Sequence, residues 1–170
     1  NQDIDNLFAG DLLNQCIGSS FGNKERGIPF IGLYGACSTM ALSTALATVF
    51  VDSGISNRAV AVTSSHFCSA ERQYRFPLNY GSQRPQTSQW TVTGSGCTIL
   101  SSEGDGPKIT CATFGKVTDF GIKDANNMGA AMAPAAMHTI LAHLRDTKTK
   151  PTDYDMILTG DLGFTGADIL

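Results

Sequence analysis

A strand that turns on Gly35-Ala36 straight into a helix, with a cysteine at the turn, constrains this chain more than any other feature. Residues 29–52 read PFIGLYGACSTMALSTALATVFVD. The apolar run 30–34 has strand character. Leu42, Ala45, Leu46, Val49 and Phe50 recur at the three- and four-residue steps of a helix face. Ser38 and Thr39 predict the helix start, because their hydroxyls can accept from backbone N–H groups that have no intrahelical partner. A thiol at that point meets the positive end of the helix dipole, which favours thiolate. Cys37 is therefore a candidate nucleophile, weighed against the common use of a free cysteine as a small buried hydrophobe.

The flanking segments repeat the same alternation. Residues 4–9 (IDNLFA) predict a strand ending at Gly10-Asp11, and residues 12–24 a helix closed by the stop signal Arg26-Gly27-Ile28-Pro29. Residues 58–65 (RAVAVTSS) are a β-rich run ending at His66. Strand, helix, strand, helix, strand at this spacing predicts a parallel sheet with crossover helices. Ligands of such sheets gather at the carboxyl ends of the strands. Asp11, Cys37 and His66 all fall there. Charged residues make up only 16% of the chain and there are 18 glycines, which fits close backbone packing around a well-buried sheet. A net charge of -3 without any Lys/Arg run argues against a nucleic-acid surface.

Five scattered cysteines (Cys16, Cys37, Cys68, Cys97 and Cys111) form no C-x-x-C pair, so neither a disulfide framework nor a zinc knuckle is expected, and a reducing compartment fits best. No apolar run has the length of a membrane span, and nothing resembles a signal peptide. The chain starts without Met inside an expected strand and stops as a helix begins, so it reads as a fragment of something longer.

Residues 67–88 break the pattern and predict a long functional loop, in which Arg72, Arg75 and Arg84 either contact a carboxylate, pair with Glu71 or face solvent. Residues 89–101 predict a strand pair or bulged strand, with Trp90 as a core anchor rather than a ligand stacker, and residues 108–117 a further strand. Residues 124–146 predict a second long helix, with Pro134 limiting or kinking its first turn. Met128, Met132, Met137 and Met156 either fill core or line a pliable pocket. His138 and His143, five apart, do not share a helix face and read as surface or satisfied histidines.

An internal repeat links the two ends. Residues 5–12 (DNLFAGDL) match residues 155–162 (DMILTGDL) in the acidic start, the apolar run and the Gly-Asp-Leu elbow. This predicts two similar αβ halves, residues 1–118 and 119–170, with Asp11 and Asp161 at equivalent strand ends facing a common site.

A duplicated αβ half with a cysteine at the end of a central strand resembles the thiolase and ketoacyl-synthase superfamily. Within it, the chain is similar to the stage V sporulation AD family through AGDLLNQ (9–15), GLYGACST (32–39), VTSSH (62–66), QWTVTGSG (89–96), NNMGAAMAPAA (126–136) and LTGDLGF (158–164). The resemblance implies an α/β fold of thiolase type, with duplicated βαβαβ halves in layered α-β-α-β-α order. It equates Cys37 with the acyl-accepting cysteine of condensing enzymes. Their strand-end histidine would fall at Thr159-Gly160-Asp161, where this sequence has none. A protein without condensation chemistry and without a cofactor is therefore implied. The family is associated with binding dipicolinic acid during its uptake into the developing spore, so the implied partners are dipicolinate, free or as its calcium chelate, and membrane proteins of the same sporulation operon. Peripheral docking at the spore inner membrane and a homodimer are implied as well. The implied ligand contacts are Cys37, Ser38, His66, Asp11, Asp161 and Gly160. Asp11 and Asp161 either hold calcium or cap neighbouring helices. The acyl-transfer alternative keeps Cys37 as nucleophile.

Overall fold

The first strand, β1 (Asn6–Asp11), takes the middle of a sheet and is buried on both faces. A computed structural model of the chain describes residues 3–12, 16–65, 71, 74–75 and 85–170. β1 pairs in parallel with β2 (Phe30–Gly32) on one side and with β3 (Arg58–Ser65) on the other. β4 (Gly94–Ser101) closes the order β2-β1-β3-β4 by running antiparallel to β3. The helices α1 (Ile17–Asn23) and α2 (Thr39–Asp52) supply the two crossovers. Parallel pairing forces such crossovers, and strands covered on both faces read as near-continuous apolar runs. NLFAGD is such a run.

Side chains alternate across a strand, so the two faces of β1 belong to two cores. Phe8 packs with Ala47, Val51, Ala59 and Ala61 under α2, and meets Phe50 edge-on with ring centroids 4.9 Å apart. Leu7, Ala9 and Val60 form the opposite core with Ile28 and Phe30. Burying Phe8 alone contributes about 1.5–3 kcal/mol.

The face that α2 turns inward differs from the expected one. Its buried residues are Thr39, Ser43, Ala47 and Val51, while Leu46 and Phe50 flank the core and Val49 is exposed. Small side chains along the contact line let the helix axis approach the sheet closely, and the larger residues fill the space at either side. β3 has the expected bounds. β2 ends two residues early, and the whole of residues 89–101 yields one strand, β4, rather than a pair.

Residues 1–73 with 92–110 form one compact unit, and residues 74–91 with 111–170 form a second. In the second unit α3 (Met128–Thr147) packs on α4 (Gly163–Ile169). Asn127 caps α3 by accepting from the Ala130 N–H at 3.2 Å. Pro134 lies inside the helix without ending it. The crossing is close: a Cβ on Gly129 would lie 2.0 Å from the Leu162 carbonyl oxygen. Near the other end of α3, His143 Nδ1 meets the Thr113 hydroxyl at 2.8 Å and Nε2 the Tyr154 hydroxyl at 2.9 Å. That satisfies the ring on both sides.

Two expected strands are absent among the described residues. Neither 108–117 nor the repeat segment 155–160 belongs to the sheet. A strand exists through the ladder of a neighbour, and local β propensity does not replace one. Ile157 and Leu158 stand exposed where their counterparts Leu7 and Phe8 are buried.

Candidate functional site at the strand ends

The carboxyl end of β1 carries Gly10 and Asp11. Gly10 is there because nothing larger fits: a Cβ would lie 2.1 Å from the Leu33 carbonyl oxygen and 2.6 Å from Thr39 Cγ2. This brings the segment leaving β2 against β1, where the Leu33 N–H donates to the Ala9 carbonyl at 2.9 Å. Asp11 is 2% exposed. Its Oδ2 accepts from the Ser19 N–H at 2.7 Å and from the Ser19 hydroxyl at 2.9 Å, so the carboxylate anchors the first turn of α1. Cys16, just before that helix, is buried and donates its thiol to the Leu33 carbonyl at 2.8 Å. Burial and the Asp11 charge push the Cys16 thiol above its ordinary range, so it stays protonated.

Leu33 leads into the Gly35–Thr39 turn. Cys37 lies in a 3-10 turn, Ala36–Ser38, immediately before α2, and is exposed. Ala36 takes φ 47°, the left-handed region that a side chain with a Cβ enters only at a cost of about 1–2 kcal/mol. The expected capping by hydroxyls is not what holds this turn. Ser38 Oγ donates to the Gly35 carbonyl at 2.7 Å, and Thr39 Oγ1 accepts from the Gly35 N–H at 3.1 Å. The Ser38 and Thr39 N–H groups donate back to Gly35 and Ala36, as a 3-10 turn requires. The first N–H groups at Cys37 are thus drawn into the turn, contrary to the unpaired set expected there.

At the end of β3 the Ser65 hydroxyl donates to Glu71 Oε1 at 3.0 Å, and Glu71 is fully buried. His66 lies outside the described residues, as do Cys68, Arg72 and Arg84. Arg75 binds the hydroxyl and carbonyl of Thr91. The structure therefore brings Asp11, Cys37 and Ser38 to one edge of the sheet. Ser19 and Glu71 are contributors that sequence reasoning missed. No periodicity relates Asp11 to a serine eight positions on.

Asp161 and Gly160 belong to the second unit. Asp161 Oδ1 accepts from the Gly163 N–H at 2.9 Å, and Oδ2 accepts from the Trp90 N–H. Like Asp11, it uses its carboxylate on backbone N–H groups. Both residues line a cavity of about 740 Å3 beside Trp90 and Phe164. Trp90 is 61% exposed there, which corrects its expected place in a core. None of the four methionines lines this cavity.

Comparison with known proteins decides the family. The family profile of stage V sporulation protein AD matches residues 1–170. The chain belongs to the stage V sporulation protein AD family. It is 49% identical over 168 residues to the Bacillus subtilis (strain 168) protein of that name, which covers 99% of this chain and 50% of that protein. The chain thus spans about half the length of that curated relative. Among solved structures, the tetronic acid condensing enzyme AbyA1 superposes with a TM-score of 0.61 at 15% identity, over 98% of this chain and 59% of its own. A β-ketoacyl-[acyl carrier protein] synthase III from Thermus thermophilus matches 62% of this chain and 32% of its own, with a TM-score of 0.44 and 13% identity. The AbyA1 likeness shows the fold: an α/β chain of the thiolase-like type, here carrying the sequence of a sporulation protein.

Among the described residues no group of three His, Cys, Asp or Glu side chains is placed to hold a metal ion, and no helix is long and apolar enough to cross a membrane.

Proposed function

We propose that this sporulation protein binds dipicolinate without turning it over and supports its uptake into the developing spore. Pyridine-2,6-dicarboxylate is small, flat and dianionic, so its site needs donors for two carboxylates and a slot for the ring. The observation that carries the reading is the exposed Cys37–Ser38 turn at the start of the fourteen-residue helix α2, whose dipole favours a bound anion. Asp11 supports it as the buried anchor of α1 at the neighbouring strand end, and His66 is the residue that follows β3 in sequence. In the second unit Gly160 stands where the resemblance to condensing enzymes calls for a histidine. Loss of a proton-transfer or oxyanion group costs orders of magnitude in rate, which supports a binding role. Asp161 serves as a backbone anchor rather than a ligand contact in this reading. Membrane proteins of the same operon at the spore inner membrane are the proposed partners, with a homodimer as the proposed assembly.

Titration of the full-length protein with dipicolinate in a calorimeter tests this. Saturable heat is expected, and Cys37→Ala should weaken binding by about tenfold, near 1.4 kcal/mol. No heat from the intact protein refutes the reading.

One observation favours a second reading. The left-handed Ala36 before Cys37 is the kind of strained turn that displays a nucleophile between strand and helix. If Cys37 accepts acyl groups, incubation with short acyl-CoA esters yields a mass adduct that disappears in Cys37→Ser. An unmodified mass across a broad ester panel rules that out.

A further inference from the structure

The cavity in the second unit has a build of its own. Pro85, Trp90, Leu162, Phe164 and Ala167 give it apolar walls, and among the described residues Asp161 is the one ionisable side chain lining it. Trp90 and Phe164 leave 61% and 77% of their surface open, although aromatic side chains gain most by burial. Their backbones are tied together at two points. Asp161 bridges the Trp90 and Gly163 N–H groups, and the Thr165 N–H donates to the Gln86 carbonyl at 3.2 Å. Gly163 permits the tie, with φ 67° and a Cβ position only 3.1–3.3 Å from the carbonyl oxygens of Gln86, Thr87 and Ser88. Such ties fix the main chain that carries the two rings, so less of the backbone has to be ordered on binding.

We propose that this cavity is a binding site for a planar aromatic group that carries no negative charge. The flat rings supply stacking surface, and 740 Å3 lies within the roughly 300–1,000 Å3 range of small-molecule sites. Charge selects the class. Among the described residues the wall holds a carboxylate and no Lys, Arg or His, so an anionic ligand meets like charge there. A cationic ring gains from both the Asp161 charge and the indole face. The site draws on none of the residues assigned to dipicolinate in the first unit, so either proposal can fail alone.

Trp90 is the one tryptophan of this sequence, and its emission reports on the site directly. The test titrates the full-length protein with benzamidine, benzamide and benzoate, three probes that share a ring and differ in charge, and subtracts the response of Trp90→Phe. A saturable change is expected for benzamidine and benzamide, with benzoate at least about fivefold weaker. Phe164→Ala should weaken benzamide by about three- to tenfold, a loss in keeping with one stacking partner. Ala167→Phe, placed at an exposed position, should fill the cavity and abolish the response while the far-UV spectrum stays unchanged. The proposal is overturned by benzoate binding as tightly as benzamide, by no saturable change with any probe, or by responses indifferent to both variants. A Trp90 emission that shifts with protein concentration alone also overturns it, because a second copy then occupies the walls.

Discussion

Replacing Gly10 by alanine adds one methyl group at the point where β1, the segment leaving β2 and the start of α2 converge. The new Cβ would sit 2.1 Å from the Leu33 carbonyl oxygen, against about 3.4 Å for ordinary contact, so Leu33 must retreat by more than about 1 Å. Leu33 is not free to do so without loss: its N–H donates to Ala9 and its carbonyl accepts the Cys16 thiol. Overpacking a core costs about 1–3 kcal/mol, and two weakened hydrogen bonds add about 0.5–1.5 kcal/mol each. The expected destabilisation is about 2–6 kcal/mol, a large fraction of the roughly 5–15 kcal/mol that holds a typical domain folded. Urea denaturation measures it as a lowered midpoint at unchanged slope. Thr39→Ser in the same chain removes the second clash, with Thr39 Cγ2 at 2.6 Å, yet leaves the carbonyl clash, so it should restore less than about 1 kcal/mol. A Gly10→Ala loss below about 1 kcal/mol, or full rescue by Thr39→Ser, would falsify the claim that backbone approach fixes this glycine.

Three further outcomes follow from neighbouring contacts. Asp11→Ala should cost about 2–4 kcal/mol and strip hydrogen-exchange protection from the Ser19 amide; intact protection would show that α1 does not depend on the carboxylate. For Cys16 the folded thiol titrates above its ordinary value of 9.0, so the unfolded chain releases its proton first as pH rises. Stability should therefore be unaffected by this group below about pH 9 and fall above it, and Cys16→Ser should flatten that fall in thermal melts between about pH 8 and pH 10. Alanine in place of helical glycine ordinarily stabilises by about 0.5–1 kcal/mol. Gly22→Ala in α1, with open space around it, should follow that rule, whereas Gly129→Ala should reverse the sign by about 1–3 kcal/mol against the Leu162 carbonyl; two equal shifts in melting temperature would contradict the α3–α4 approach.

The parts of this fold that were legible in the sequence are those set by local pattern. The β-rich run RAVAVTSS gave β3 its bounds, and the strand–helix alternation gave the parallel pairs β1–β2 and β1–β3. The inward face of α2 does not show in a hydropathy pattern because Thr39 and Ser43 count as polar there, while the sheet selects them for size. Residues 155–160 copy the pattern of β1, yet a pattern supplies no hydrogen-bonding neighbour, and no strand forms there. At the site, the placing of Cys37 between strand and helix was foreseen from glycine and periodicity. The spending of the Ser38 hydroxyl on Gly35 and of Asp11 on Ser19 was not, since both depend on distances that only the folded chain sets. A lone tryptophan reads as a core anchor, yet Trp90 stands 61% exposed, and its backbone N–H donates to Asp161, seventy-one positions away, a contact that no local pattern shows.

The central place of β1 has a consequence for how the chain is made. β1 precedes both of its partners in the chain, and β3, which covers its second edge, ends at Ser65. At synthesis rates of about 5–20 residues per second, some 3–11 s separate the appearance of Asp11 from that of Ser65. Through that interval the most buried strand of the sheet has an unsatisfied edge, the condition under which strands pair with the wrong chain. The sheet is therefore assembled around its earliest strand but sealed by a later one. Demand for protection by chaperones should peak before the sixty-fifth residue leaves the ribosome.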